Sequence, residues 1–228
     1  MEKVFINWSG GKDCTMALHK ILHGTDLKPE FLFTTVSKEH QRVSMHGVRK
    51  ELITRQAFSL GIHSRKMYLP DSNSHGLYEK LMKHEMLLMK ERGIPVSVFG
   101  DIFLEDLRNY REENLKAAGM KALFPLWKKD TNELIREFLD LGYKAVIVSI
   151  DKRKLDESFL GKELSHELIN ELPKNVDVCG ENGEFHTFVY DGPIFNTPVK
   201  FETGEKVTRS YTHNNEIFEY GFVDLKVI

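Results

Sequence analysis

Ser9-Gly10-Gly11-Lys12-Asp13, set between the apolar run Val4-Phe5-Ile6 and a segment of helical period, decides the fold. A strand runs into a glycine turn, and the turn into a helix. Two adjacent glycines let the backbone bend tightly with its N–H groups exposed and no Cβ in the way, and the start of the helix adds its positive dipole end. Such a turn is a pocket for an anion, phosphate above all. From Thr15 onward Ala17, Leu18, Ile21 and Leu22 form one apolar face, and Gly24 stands where a left-handed C-cap residue would end the helix. The Walker spacing G-x-x-x-x-G-K-[ST] does not occur, so this loop is a different device from the P-loop.

Outward from the loop, strands and helices alternate. Runs of β character at 31–36, 65–69, 96–99 and 121–124 are separated by helical periods at 46–60, 75–92 and 104–118. Gly61, Gly93 and Gly119 each follow one of those helices, as C-terminal glycines do. This alternation predicts right-handed βαβ units and a parallel sheet covered on both faces, with ligands at the carboxyl ends of the strands. A further helix at 131–141, with Leu134, Ile135, Phe138 and Leu141 on one face, leads to the apolar strand 145–150. The pattern then changes to a charged loop at 151–154, a short helix at 163–172 and a β-rich tail. Turns are expected there at Asn182-Gly183, Asp191-Gly192 and Thr203-Gly204. A domain boundary is placed near Trp127, giving units 1–127 and 128–228.

Composition bounds the function. The 228 residues, 41% hydrophobic and 29% charged, describe a globular chain large enough for an α/β domain and a smaller appendage. A formal net charge of −2 gives no broad electrostatic footprint for nucleic acid. With no apolar run approaching ~18 residues and no basic leader, the expected setting is the cytoplasm, away from membranes. Two distant cysteines, Cys14 and Cys179, make neither a disulfide framework nor a zinc cluster. His19 and His23 have the spacing of a helical metal pair but no third ligand, and read as surface histidines. Met82, Met86 and Met89 stripe one helix as core packing.

A second informative stretch is Cys179-Gly180-Glu181-Asn182-Gly183-Glu184-Phe185-His186-Thr187, preceded by Leu155-Asp156-Glu157 and Leu160-Gly161. Asn-Gly between extended runs signals a hairpin turn, and the plain reading of Glu181 and Glu184 is a pair of solvated flanking carboxylates. Together with Ser9-Gly10-Gly11-Lys12-Asp13 and the central Phe124-Pro125-Leu126-Trp127, these residues resemble, in order, the diphthine ammonia-ligase family of PP-loop ATP pyrophosphatases. His46-Gly47-Val48-Arg49 and the run from Gly100 to Arg108 are similar to a bacterial-type branch of it.

The resemblance implies an α/β fold with a HUP-type doubly wound parallel sheet in the order 3-2-1-4-5 and a smaller C-terminal α+β domain. It also implies ATP-dependent amide formation. A carboxylate-bearing acceptor, small molecule or protein, is adenylated with release of pyrophosphate, and ammonia then displaces AMP. On this reading Ser9, Gly10, Gly11, Lys12, Asp13 and Cys14 cradle the phosphates, the adenine lies near Thr34 and Val36, and Mg²⁺ accompanies ATP. Asp13 serves as helix N-cap or metal contact. Asp101, just past the strand ending at Phe99, holds Mg²⁺, orients the acceptor or merely caps a helix. Arg108 is a phosphate or carboxylate clamp or else a surface salt bridge. Glu181 and Glu184 are expected to face the acceptor or ammonia, with a Glu184→Gln change costing rate and sparing the fold. Cys14 stands where the family has serine, and Asn182 and His186 where archaeal and eukaryotic members have glycine and glutamate. The acceptor and oligomeric state stay open, a homodimer included, and so do two other readings: a nucleotide sensor without turnover and a PP-loop thiolation enzyme.

Overall fold

The protein is described by a computed structural model that covers residues 1–70, 75–213 and 216–228. Strands β1 (Glu2–Asn7), β2 (Leu27–Ser37), β3 (His63–Leu69), β4 (Val96–Val98) and β5 (Lys121–Leu123) pair in parallel in the order β3-β2-β1-β4-β5. The central strand β1 buries Val4, Phe5 and Ile6 completely, as a parallel strand covered on both faces must. On one face Val4 and Ile6 pack with α1 (Lys12–Gly24) and α2 (Lys50–Leu60). On the other, Phe5 packs with Met86 and Met89 of α3 (His75–Glu91) and Leu115 of α4 (Glu105–Ala117). The methionine stripe is therefore core, and the sheet is doubly wound. Its order reverses at β1, so the loop after β1 sits at the switch point.

The C-terminal part supplies α5 (Thr131–Asp140), β6 (Lys144–Asp151), α6 (His166–Glu171), β7 (Phe185–Asp191), β8 (Phe201–His213) and β9 (Glu216–Val227). Its strands form an antiparallel sheet in the order β7-β6-β9-β8. One hydrophobic cluster runs without a break from β1 and α1 into α5, β6 and β7. A half-exposed ion-pair cluster also ties the segment between β2 and α2 to β9: Arg49 reaches Asp224 at 2.7 Å and Arg42 reaches it at 2.8 Å. The hydrogen bond from Arg49, then that from Arg42, holds the Asp224 carboxyl well below the usual carboxylate range.

Several local expectations are corrected. Gly24 lies inside α1, which ends at Thr25 in extended backbone with its hydroxyl donating to Ile21 O at 2.9 Å, and Leu22 is exposed. The helix expected from residue 46 starts at Lys50, because Val43 N donates to Val48 O and closes a tight turn first. Glu163 bridges to Val146, so α6 begins at His166 with Ser165 as its cap. Thr203-Gly204 lies within β8, where the pairing register slips, and is no turn. Asn182-Gly183 does belong to a turn, but no strand precedes it, so the expected hairpin is a loop that leads into β7. Gly61, Gly93 and Gly119, by contrast, all adopt the left-handed conformation expected after helices.

Candidate active site

The loop is clamped from two sides. Gly10 has φ +85, and a Cβ there would lie 2.7 Å from Ile53 Cδ1 and 2.8 Å from Gln56 Oε1, so conformation and space both demand glycine. Its carbonyl accepts from Gln56 Nε2 at 3.0 Å and from Val189 N at 2.9 Å. Gln56, fully buried on α2, also donates to Val189 O at 2.6 Å and accepts from Trp8 Nε1 at 2.9 Å. From the C-terminal sheet, Thr187 Oγ1 accepts the Lys12 N–H at 3.0 Å. The free edge of β7 thus lies along the loop. Ser9 Oγ accepts from Gly11 N at 3.4 Å, and the Cys14 thiol donates to Gly11 O at 3.1 Å. Burial pushes the Cys14 pKa up, which leaves a neutral packing thiol and no reactive thiolate.

Around the start of α1 stands a group of charges. Gly11 is the N-cap and no side chain caps the helix, so Asp13 does not take that role. Its carboxylate instead accepts from the buried Lys12 Nζ at 2.8 and 2.9 Å. Burial opposes the charge on Lys12, yet Asp13, Cys179 and Glu181 together raise its pKa above the ordinary lysine value. Glu181 Oε1 accepts the Ile102 N–H at 2.7 Å. Burial first, then the charge of Asp13, pushes Glu181 up to about 7. Asp101 pairs with Arg111 at 3.1 Å, while its Oδ2 is buried without a hydrogen bond; burial raises its pKa too, against the pull of Arg111. Asp13 and Glu181 therefore stand beside one lysine at the mouth of the loop, with Asp101 next to both of those carboxylates.

Other expected site residues lie differently. Arg108 donates to Glu112 at 2.7 Å and stacks over Trp127 and Phe124, 4.5 and 5.0 Å from the ring centres. The arginine that meets Asp101 is Arg111, nearly one turn further along α4. Thr34 and Val36 are buried, the Thr34 hydroxyl donating to Trp8 O at 2.8 Å, so neither side chain stands open to a base. Gln56 and Arg111 were not singled out from the sequence, and Thr187 entered only as the end of the family-like stretch, with no role given to it. Gln56 alone carried a legible signal, a polar residue on the face that α2 fills with Leu52, Ile53 and Ala57.

Glu184 is the anchor of its loop. It is 3% exposed, and its carboxylate accepts from Asp177 N at 3.1 Å, Asn182 N at 3.0 Å and Asn182 Nδ2 at 3.1 Å. Asp177 in turn accepts from Cys179 N and Glu181 N at 3.1 and 2.9 Å. The two carboxylates fold residues 177–184 so that Glu181 reaches Ile102. The expectation that Glu184→Gln spares the fold is accordingly reversed. An amide replaces one acceptor oxygen by a donor, and a buried unmet group costs about 1–3 kcal/mol. In a chain of this size that lowers Tm by roughly 2–12 °C. Differential scanning calorimetry checks it, and an unmoved Tm would show that the carboxylate does not anchor the loop.

Among the described residues no three His, Cys, Asp or Glu side chains converge as a metal cage, and no helix is long and apolar enough to cross a membrane. Two family models match the chain: the diphthamide synthase N-terminal domain over residues 2–122 and the diphthamide synthase C-terminal domain over residues 130–222. Curated relatives include the diphthine–ammonia ligases of Bos taurus, 26% identical over 89% of this chain and 84% of its own, and of Danio rerio, 27% identical over 89% and 87%. That of Homo sapiens is 27% identical over 89% and 84%. A fainter likeness, TM-score 0.39 and 18% identity over 62% of this chain and 57% of the other, is to the U34-tRNA thiolase NcsA from Methanococcus maripaludis, and at that level it bears on neither fold nor reaction. With both family domains matched, a five-strand sheet in the order 3-2-1-4-5 and a glycine loop at its switch point, the chain belongs to the diphthamide synthase family and so to the ATP-dependent amide-forming ligases.

Proposed function

We propose that the chain adenylates an acceptor carboxylate with ATP and converts it to an amide with ammonia, residues 1–127 holding the nucleotide and 128–228 walling the acceptor site. The carrying observation is the cluster beside the glycine loop in which Asp13 and Glu181 flank Lys12 and Asp101 adjoins both carboxylates. In the first step a carboxylate oxygen bonds to the α-phosphorus and the α–β phosphate bond breaks, releasing pyrophosphate. The loop, with Ser9 and Lys12, neutralises the charge of the leaving group. In the second step the ammonia nitrogen bonds to the acyl carbon, the bond to AMP breaks, and the nitrogen sheds a proton. Glu181, poised near neutrality, takes that proton. Diphthine, the acceptor in the names of the relatives, is the first acceptor to test.

Mg²⁺ fits here in the manner of an ion held by one or two carboxylates and completed by phosphate oxygens and water. Asp101, through its unpartnered Oδ2, and Asp13 would hold it. When bound it would supply charge neutralisation at the phosphates. Arg111 fixes the Asp101 carboxylate, and Glu184 acts as a positioning residue for Glu181.

The experiment is incubation with ATP, Mg²⁺, ammonium and a diphthine-bearing acceptor, followed by chromatography of the nucleotides. AMP and pyrophosphate are the expected products. ADP and phosphate as the main products would overturn the reading.

A further inference from the structure

Two histidines beside the loop have no part in the chemistry above. The rings of His46 and His186 lie 4.5 Å apart at 33°. His46 presses on the loop itself, its Cε1 only 2.7 Å from where a Cβ on Gly11 would stand. Its Nδ1 meets Thr187 O at 3.1 Å, and since a carbonyl only accepts, Nδ1 carries the proton and Nε2 bears the lone pair. His186 Nε2 is buried and has no hydrogen bond, and the same is true of Ser149 Oγ. Ser149 is the register partner of His186 across β6 and β7, so the two side chains share one face of the sheet.

Orphaned polar atoms this close to a phosphate-binding turn call for a partner. We propose that His46 and His186 wall the far side of the phosphate site and bind the terminal phosphates of the nucleotide, His186 through Nε2, taking up a proton as the anion arrives. The proposal rests on the reading of the loop as a nucleotide site.

Both rings are held neutral by their surroundings in the fold. Burial holds His46 down at about 4, against the Thr187 carbonyl and with help from the Lys12 charge. Burial, His46 and Lys12 hold His186 well below the ordinary histidine value. Lys12, reaching in from α1, is the charge felt by both rings; Ser149 on β6 contributes only a hydroxyl. A di- or triphosphate between Lys12 and the rings reverses the local field, raises the imidazole pKa and gives Nε2–H an acceptor. Binding then consumes a proton between the free and bound pKa values, so affinity for the anion rises as pH falls. Departure of pyrophosphate returns the proton.

The test is calorimetric titration of inorganic pyrophosphate into the parent, His186→Gln and His46→Asn proteins at about pH 6.5, in two buffers of different ionisation enthalpy. The parent is expected to take up about one proton more per anion than His186→Gln, the protonation of pyrophosphate itself cancelling in the comparison. Equal uptake by all three overturns the proposal and leaves the loop reading standing. No pyrophosphate binding by the parent defeats the loop reading and the proposal with it. Should a variant fail to fold, the histidine ring NMR signals of the parent decide. A shift from neutral to charged positions on adding pyrophosphate supports the proposal, and unmoved rings sink it.

Discussion

Glu181→Gln lowers ammonia-dependent amide formation by roughly 10²–10⁴-fold, the span of a lost general base, while ATP affinity stays close to that of the parent. Glutamine keeps the shape and can still accept the Ile102 N–H through its carbonyl, so the protein stays folded and Tm barely moves. What disappears is a proton acceptor tuned to about 7 by burial and by Asp13. The sign of the pH dependence follows. The parent's rate rises with pH through about 7 as Glu181 ionises, and the variant loses that step. Steady-state rates from pH 6 to 9, with nucleotide affinity measured alongside, check the claim. A variant with the parent's rate and profile would leave Glu181 an architectural residue.

Gly100→Ala is expected to strike the site through the backbone. A Cβ at Gly100 would lie 2.7 Å from Asp13 C and 2.9 Å from both Asp13 O and Cys14 N. These atoms belong to the first turn of α1 and cannot rotate away as a side chain would. Overpacking of this kind costs about 1–3 kcal/mol and lowers Tm by roughly 2–12 °C. The displaced turn carries Lys12 and Asp13 with it, and a shift near 1 Å in a reacting array costs on the order of 10²-fold in turnover. Gly24→Ala is the control, since nothing lies within 4 Å of its would-be Cβ. Equal Tm and turnover in the two variants would mean that the close approach of the segment after β4 to α1 does not set the site.

The parallel sheet was legible because each of its elements obeys a local rule. Alternating apolar runs and helical periods, closed by Gly61, Gly93 and Gly119, left little freedom in the βαβ pattern. The strand order was not in those periods and came with the resemblance. Of the site, the strand, glycine turn and helix start could be read from five residues, because each is a local structure. The charge cluster could not. Arg111 was missed for Arg108 because both lie on α4 and only the crossing of β4 decides which one meets Asp101. Glu184 was expected at the acceptor and not in the fold because the backbone amides it accepts from, those of Asp177 and Asn182, come to it only once the loop has closed. Thr187 lies 175 residues from the N–H that it accepts, a pairing that no window along the chain contains.

The contact between Gly10 and β7 has a consequence for solubility. A strand at the rim of a sheet carries a row of unpaired amides that other chains can dock onto, and proteins commonly blunt such rims with charge, proline or bulges. Here the rim of β7 is covered by the glycine loop and its neighbours: Val189 N donates to Gly10 O, Gln56 Nε2 to Val189 O and His46 Nδ1 to Thr187 O. The loop is therefore also a shield against self-association. A variant that unseats the loop is therefore expected to expose this edge and to self-associate at concentrations where the parent stays dispersed, which size-exclusion chromatography would show.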